Sequence, residues 1–142
     1  MTFHDDFANE AKLLKEKLTG WFGLEIAPEA PVTIVLDYLT DDKKAVNEEY
    51  YELHIAGQQI RINAATPHGV FNGTQTLLGL LKGQESLLRL EAMSIHPDLV
   101  YRGQMIDIAR SYTTVDNLKK LIDVLSSYKL NVLHFHFSDD EG

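Results

Sequence analysis

The chain has 142 residues, enough for one ordinary domain or for a small domain followed by part of another. Its apolar share of 44% can supply a core, whereas its formal net charge of −8 disfavours binding to nucleic acid or to an anionic membrane surface. No apolar run approaches the roughly 20 residues of a membrane span, and the acidic first residues lack the apolar core of a signal peptide. The absence of cysteine fits the cytoplasm, and it fits equally a periplasmic or secreted protein whose leader has been removed.

The chain opens with a helix pattern and then a strand pattern. Asp5 or Asp6 is the expected cap of the helix and Gly20 its expected stop, and its apolar face at helical spacing consists of Phe7, Ala11, Leu14 and Leu18. A strand is predicted at 32–36. Residues 37–49 are polar and acidic and therefore predict an exposed loop. This loop is not expected to bind calcium, because it lacks the ligand spacing and the central glycine of a calcium loop.

A hairpin and a second helix come next. Two alternating runs, 50–56 and 59–64, flank Gly57 and predict a β-hairpin. Thr66 followed by a proline predicts the start of a helix that ends at Gly83. Three glycines inside this helix each cost about 1 kcal/mol relative to alanine, and close packing on a sheet would explain them. They are Gly69, Gly73 and Gly79.

A strand at 87–95 and a short linker complete the first part of the chain. Residues 1–97 therefore predict a small α/β domain with two helices and four or five strands. Residues 98–142 predict strand, helix and strand, because two almost continuously apolar runs, 104–109 and 130–137, flank an amphipathic segment. The expected apolar stripe of this helix consists of Leu118, Leu121, Ile122, Leu125 and Tyr128. This pattern is typical of parallel strands that are buried on both faces.

Charged residues follow both strands of this last segment. Arg110 follows the first strand, and Asp139, Asp140 and Glu141 follow the second. Parallel neighbours point the same way, so these side chains are expected at the carboxyl edge of the sheet, where α/β folds bind ligands. Arg110 is either one half of a surface ion pair with Asp107 or Asp139, or a planar clamp for two adjacent sugar hydroxyls.

Two further interpretations of this edge stay open. His134 and His136 lie on one face of a strand and, with Asp139, resemble half of a metal site. The chain could thus belong to a metal-dependent barrel hydrolase. Alternatively, residues 1–97 could be a non-catalytic binding or packing module.

Several motifs in this segment occur together and without a gap. They are Arg-Gly at 102–103, Asp-x-x-Arg at 107–110, Tyr-Lys-Leu-Asn-Val at 128–132, His-x-His at 134–136 and Asp-Asp at 139–140. In this respect the stretch 101–142 resembles the start of the catalytic domain of glycoside hydrolase family 20, the β-N-acetylhexosaminidases. Thr113 or Thr114 stands where that family often has proline. The glycine-containing helix at 69–77 resembles the helix of the small domain that precedes the family's barrel.

The resemblance implies an α/β fold in which 1–97 is an accessory domain and 98–142 is the first β-α-β segment of a (β/α)8 barrel. It implies that Arg110 binds the 3- and 4-hydroxyls of a terminal N-acetylhexosamine, that Asp139 lies in the active site, and that no cofactor or metal is needed. It explains His134 and His136 as residues that fill the barrel. Linkage preference, epimer preference and compartment are not implied.

The family's catalytic pair is an adjacent Asp-Glu after a later strand, and the chain has no such pair in a suitable context. The 142 residues alone are therefore expected to be an inactive N-terminal fragment of a glycosidase. A complete barrel takes about 250 residues. Strands made to be buried would be left exposed without it, so the chain is also expected to self-associate through 101–142.

Overall fold

The computed structural model describes residues 1–40, 47–83, 93–95 and 97–138. The chain divides into two compact units, Met1–Pro97 (unit 1) and Asp98–Gly142 (unit 2), and each is described by itself. Within the described ranges, none of the helices combines the length and the apolar character that crossing a membrane requires.

Unit 1 is an α/β unit in which two helices pack on one face of a sheet. Its described elements are β1 (Thr2–Phe3), α1 (Ala8–Phe22), β2 (Thr33–Tyr38), β3 (Tyr51–Ala56), β4 (Gln59–Ala64), α2 (Pro67–Gly83) and β5 (Met93–Ile95). The described strands form one sheet in the order β1-β2-β4-β3-β5, with β2 and β4 parallel and β3 antiparallel to β4 and β5. The expected fold class is confirmed.

The core of unit 1 lies between the sheet and the two helices. Every second residue of the central strands faces this core. Ile62 on β4 pairs with Leu36 on β2 and with Leu53 on β3, and all three side chains lie in the core. All four residues expected on the apolar face of the first helix are buried: Phe7, in the 3-10 turn just before α1, and Ala11, Leu14 and Leu18 within α1. Burial of such side chains stabilises a fold by about 1.5–3 kcal/mol each, which explains why the periodicity of α1 is a reliable signal.

The structure corrects some of the expected boundaries. Helix α1 does not stop at Gly20 but continues to Phe22, and Gly23 ends it in the left-handed conformation with φ 64°. The N–H of Gly23 bonds to the carbonyls of Leu18 and Thr19, which is a standard glycine cap. Strand β2 ends at Tyr38, two residues beyond its predicted end, so Asp37 and Tyr38 belong to the strand and not to the expected loop. The two-residue strand β1 was not expected at all.

The hairpin and the start of α2 follow local signals closely. Strands β3 and β4 pair from Ala56 and Gln59 outward around Gly57, whose φ of 56° suits glycine. The Thr66 hydroxyl accepts a hydrogen bond from the N–H of Gly69 at 3.2 Å, so Thr66 caps α2 as expected. Of the predicted strand 87–95, residues 93–95 form β5, and the rest lies outside the described residues.

Close packing explains two of the three glycines of α2. A Cβ at Gly69 would lie 2.6 Å from the carbonyl oxygen of Tyr50 and 2.8 Å from the Cβ of Ala64. A Cβ at Gly73 would lie 2.5 Å from a methyl carbon of Ile62. Gly79 differs, because it is exposed and, apart from its chain neighbours and the backbone of its own helix, no described atom lies within 4 Å of its Cβ position. Packing on the sheet therefore does not account for Gly79.

Unit 2 is a parallel strand–helix–strand arrangement. Its described elements are β6 (Gly103–Asp107), α3 (Val115–Ser127) and β7 (Val132–His136). The two strands pair in parallel from Gly103–Val132 to Asp107–His136, as the sequence predicts. The Thr114 hydroxyl accepts a hydrogen bond from the N–H of Asn117 and caps α3.

The apolar stripe of α3 is only partly covered in unit 2. Leu118, Leu121 and Leu125 are half-buried, whereas Ile122 and Tyr128, which were expected in the same stripe, are 49% and 75% exposed. All residues of α3 are described, and none of them is buried. The expectation was wrong for these two residues because a sheet of two strands is narrower than the stripe.

A set of hydrogen bonds joins the amino-terminal ends of β6 and β7. The amide oxygen of Asn131 accepts from the N–H of Arg102 at 3.0 Å, and its amide nitrogen donates to the carbonyl of Val100 at 2.8 Å. The Arg102 Nε donates to the carbonyl of Lys129 at 2.8 Å. We call these contacts of Arg102 and Asn131 the strand-start staple. They fix the register of the two strands at the end away from Arg110.

Candidate functional site

The carboxyl end of β6 is shaped by the carboxylate of Asp107. Its Oδ1 accepts hydrogen bonds from the backbone N–H of Ala109 at 3.0 Å and of Arg110 at 3.1 Å. Aspartate favours such turns because its short side chain reaches the backbone two or three residues further on. The turn sets the backbone from which the Arg110 side chain projects.

The other carboxylate oxygen of Asp107 holds the Arg110 side chain. The Nε of Arg110 lies 2.6 Å from Oδ2 of Asp107, and Nη2 lies 2.5 Å from the same oxygen. The Asp107 side chain is 19% exposed and the Arg110 side chain 68%. The ion pair between Arg110 and Asp107, which the sequence left as one interpretation, is therefore present at this edge.

The same contacts keep Asp107 in its charged form. The backbone N–H of Arg110 and then its guanidinium hold the pKa of Asp107 below its ordinary value of 3.8, against the opposing effect of burial. Hydrogen bonds to a carboxylate favour the ionised state, so the pair remains an ion pair at neutral pH.

This geometry divides the guanidinium into two sides. Asp107 engages the side formed by Nε and Nη2. A guanidinium is planar and rigid, so fixing one side also fixes the direction in which the other N–H groups point.

The end of β7 brings two histidines to the same face as Asp107. Parallel pairing matches Met105 with His134 and Asp107 with His136, and paired residues share a face. Among the described residues, no group of three or more potential ligands is placed to hold a metal ion. Asp139 lies outside the described residues, so the combination of His134 and His136 with Asp139 is not tested here.

Asp140 and Glu141 also lie outside the described residues. What sequence reasoning did not identify is the double role of Asp107, which forms the turn and holds the arginine. The signal was present in the spacing of Asp107 and Arg110 at a strand end, which the sequence offered as a surface ion pair and as part of a family motif.

An α/β unit followed by a parallel strand–helix–strand unit with an arginine at its carboxyl edge is the class of arrangement found at the start of barrel glycosidases. The family model for glycosyl hydrolase family 20, domain 2, matches residues 3–96, and the model for the catalytic domain of the same family matches residues 99–142. The chain therefore belongs to glycoside hydrolase family 20.

Relatives of known name agree with this assignment. The chain is 33% identical over 122 residues to an N,N'-diacetylchitobiase of Vibrio harveyi. This alignment covers 84% of the present chain and 14% of the chitobiase. The chain is 32% identical over 144 residues to a β-hexosaminidase of Porphyromonas gingivalis, covering 93% and 18%. The chain thus spans less than a fifth of the length of either relative.

Solved structures are similar over almost the whole chain. An exo-β-N-acetylglucosaminidase of Vibrio harveyi in complex with N-acetylglucosamine matches with a TM-score of 0.79 and 32% identity, over 99% of this chain and 22% of that one. A β-N-acetylhexosaminidase of Streptomyces coelicolor matches with a TM-score of 0.79 and 27% identity, over 99% and 31%.

Proposed function

We propose that this chain forms the accessory domain (1–97) and the first β-α-β segment of the barrel (98–142) of a β-N-acetylhexosaminidase. The intact enzyme would remove terminal non-reducing N-acetylhexosamine from glycans with retention of configuration. The observation that carries the proposal is the match of both parts of the chain to consecutive domains of family 20, with Arg110 at the carboxyl edge of the first strand.

In this proposal Arg110 binds the substrate sugar. Its guanidinium would donate to the 3- and 4-hydroxyls of the terminal N-acetylhexosamine, which are adjacent and suit a planar donor. Asp139, the residue that follows the last described position, is assigned to the same sugar site by its family motif alone. The high exposure of the Arg110 side chain, 68%, supports a residue that meets a ligand rather than one that packs in a core.

The chemistry of this family does not use two protein carboxylates in the usual scheme. By family resemblance, the 2-acetamido carbonyl of the substrate attacks the anomeric carbon, a glutamate protonates the leaving oxygen and an aspartate orients the amide. That Asp-Glu pair follows a later strand of the barrel, whereas the adjacent Asp140 and Glu141 of this chain follow the second strand and do not correspond to it. We therefore propose that the 142-residue polypeptide alone does not hydrolyse hexosaminides.

The test compares two proteins, the 142-residue polypeptide and the full-length protein that contains it. Only the full-length protein should release nitrophenol from a nitrophenyl N-acetyl-β-glucosaminide at a rate above the buffer blank. Turnover by the short polypeptide would refute the assignment of the catalytic pair. A full-length protein that does not cleave the substrate, or that retains a stoichiometric metal after dialysis, would favour the metal-dependent alternative.

The role of Arg110 is tested in the full-length protein. Arg110→Ala should lower kcat/KM at least about tenfold, because each lost charge-assisted hydrogen bond is worth roughly 1.5–3 kcal/mol. Arg110→Lys should restore only part of the loss, since an ammonium cannot reproduce the planar fork. Arg61→Ala, which removes an arginine from unit 1, is the matched control and should leave kcat/KM unchanged. An unchanged kcat/KM for Arg110→Ala would refute the clamp.

A further inference from the structure

The carboxylate of Asp107 is placed to control how Arg110 meets its ligand. We propose that Asp107 is the positioning residue of the sugar site: it holds the Arg110 guanidinium in the orientation in which it meets the substrate hydroxyls. This inference rests on the proposed function of Arg110. It goes beyond that function because it assigns substrate affinity to a residue that would not touch the sugar.

The need for such a residue follows from the exposure of Arg110. An arginine side chain with 68% exposure has little packing to restrict its rotamers. A clamp that must hold two hydroxyls works only when its donors are already aligned, because misplacement by about 1 Å can cost a hundredfold in rate. The two contacts from Oδ2 of Asp107 to Nε and Nη2 supply this alignment.

Asp107 can orient Arg110 because it is itself fixed. It is the last residue of β6, its side chain is only 19% exposed, and its Oδ1 accepts two backbone hydrogen bonds. The site is thus built outward from a strand, through a carboxylate, to the guanidinium. Sites supported in this way are more precise than sites held by loop residues alone.

The two oxygens of Asp107 have separate tasks, and one substitution separates them. Oδ1 forms the turn, and Oδ2 holds Arg110. In Asp107→Asn the amide oxygen can still accept from the backbone, whereas the amide NH2 cannot accept from the guanidinium. This variant should keep the turn and lose the orientation of Arg110. Asp107→Ala should lose both.

The decisive experiment is a double-mutant cycle in the full-length protein. Asp107→Asn should lower kcat/KM for a nitrophenyl N-acetylglucosaminide about tenfold or more, mainly through KM, with only a small loss of melting temperature. In the Arg110→Ala background the same substitution should change kcat/KM less than about twofold, because Asp107 acts through Arg110. Asp123→Asn, on the exposed side of α3, is the matched control and should have no effect.

Other results of the cycle would overturn the inference. Additive losses from the two substitutions would show that Asp107 does not act through Arg110, and wild-type kcat/KM in Asp107→Asn would show that no orientation is needed. If the wild-type enzyme has no activity at all, the proposed function fails instead.

A second measurement does not depend on activity. In the 142-residue polypeptide, NMR relaxation of the Arg110 Nε–H should show an ordered side chain in the wild type and a mobile one in Asp107→Asn. The Nε–H of Arg61 serves as an internal reference that should not change. A mobile Arg110 in the wild type would overturn the positioning role even where no substrate is present.

Discussion

The contact between α2 and the sheet predicts opposite effects for two Gly→Ala substitutions in one helix. At Gly69 the added methyl would meet the Tyr50 carbonyl oxygen at 2.6 Å and the Ala64 Cβ at 2.8 Å. Neither neighbour can rotate away. Overpacking of this kind costs about 1–3 kcal/mol, and rigid backbone neighbours place Gly69 near the upper end of that range. Alanine is also a better helix former than glycine, and this offsets about 1 kcal/mol of the cost.

Gly69→Ala should therefore destabilise unit 1 by about 2 kcal/mol, which corresponds to roughly 8–16 °C for a domain of this size. Gly79→Ala is the matched control in the same helix. Apart from its chain neighbours and the backbone of its own helix, no described atom lies within 4 Å of its Cβ position, so this substitution should stabilise unit 1 by up to about 1 kcal/mol.

Urea denaturation followed by tryptophan fluorescence measures both effects in the whole chain. The chain has one tryptophan, Trp21, and its ring lies 4.5 Å from the Lys17 ammonium on α1 and 4.4 Å from the Lys82 ammonium on α2. Its signal therefore reports on the packing of the two helices. If Gly69→Ala proves as stable as Gly79→Ala, the close approach of α2 to the sheet is not as described, and the reasoning fails.

Three further predictions concern unit 2. Asn131→Ala removes the two hydrogen bonds that the Asn131 side chain makes in the strand-start staple and should destabilise unit 2 by about 1–3 kcal/mol, measured by amide hydrogen exchange of β6 and β7. Asp107 has a lowered pKa in the folded chain, so its contribution to stability is present above about pH 4 and is lost as the pH falls through that lowered value. The destabilisation caused by Arg110→Ala should accordingly shrink between pH 6 and pH 2, and an effect that is constant with pH would contradict the assignment. Lastly, we propose that the 142-residue polypeptide self-associates through residues 101–142, where large apolar side chains are exposed. Sedimentation should show oligomers that Ile122→Lys reduces, and a strictly monomeric wild type would refute this.

Elements with local signals were predictable from the sequence. The hairpin around Gly57 and the cap at Thr66 are each encoded within a few residues, and both were found where expected. Burial of Phe7 and Leu14 was also predictable, because a helix that covers a sheet repeats its apolar face every three or four residues.

Features that depend on distant partners were not predictable in the same way. Strand β1 has two residues, too few for any periodicity, and it exists because β2 offers a free edge. The exposure of Ile122 depends on the width of the sheet below α3, which the helix sequence does not contain. At the site, the sequence placed Arg110 at the strand end, but the choice of Asp107 as its partner follows from the turn that the carboxylate makes.

The strand-start staple has a consequence for how unit 2 can assemble. Arg102 and Asn131 are 29 residues apart, so their contact closes a loop that contains the whole crossover. The entropy cost of closing a loop must be met before its long-range contacts add to stability. Helix α3 adds little stability alone, because none of its residues is buried. The strand pairing, the staple and the docking of α3 should therefore form in one cooperative step. A substitution in the staple would then loosen Arg110 at the opposite end of the strands, by raising the population of molecules in which the entire crossover is open.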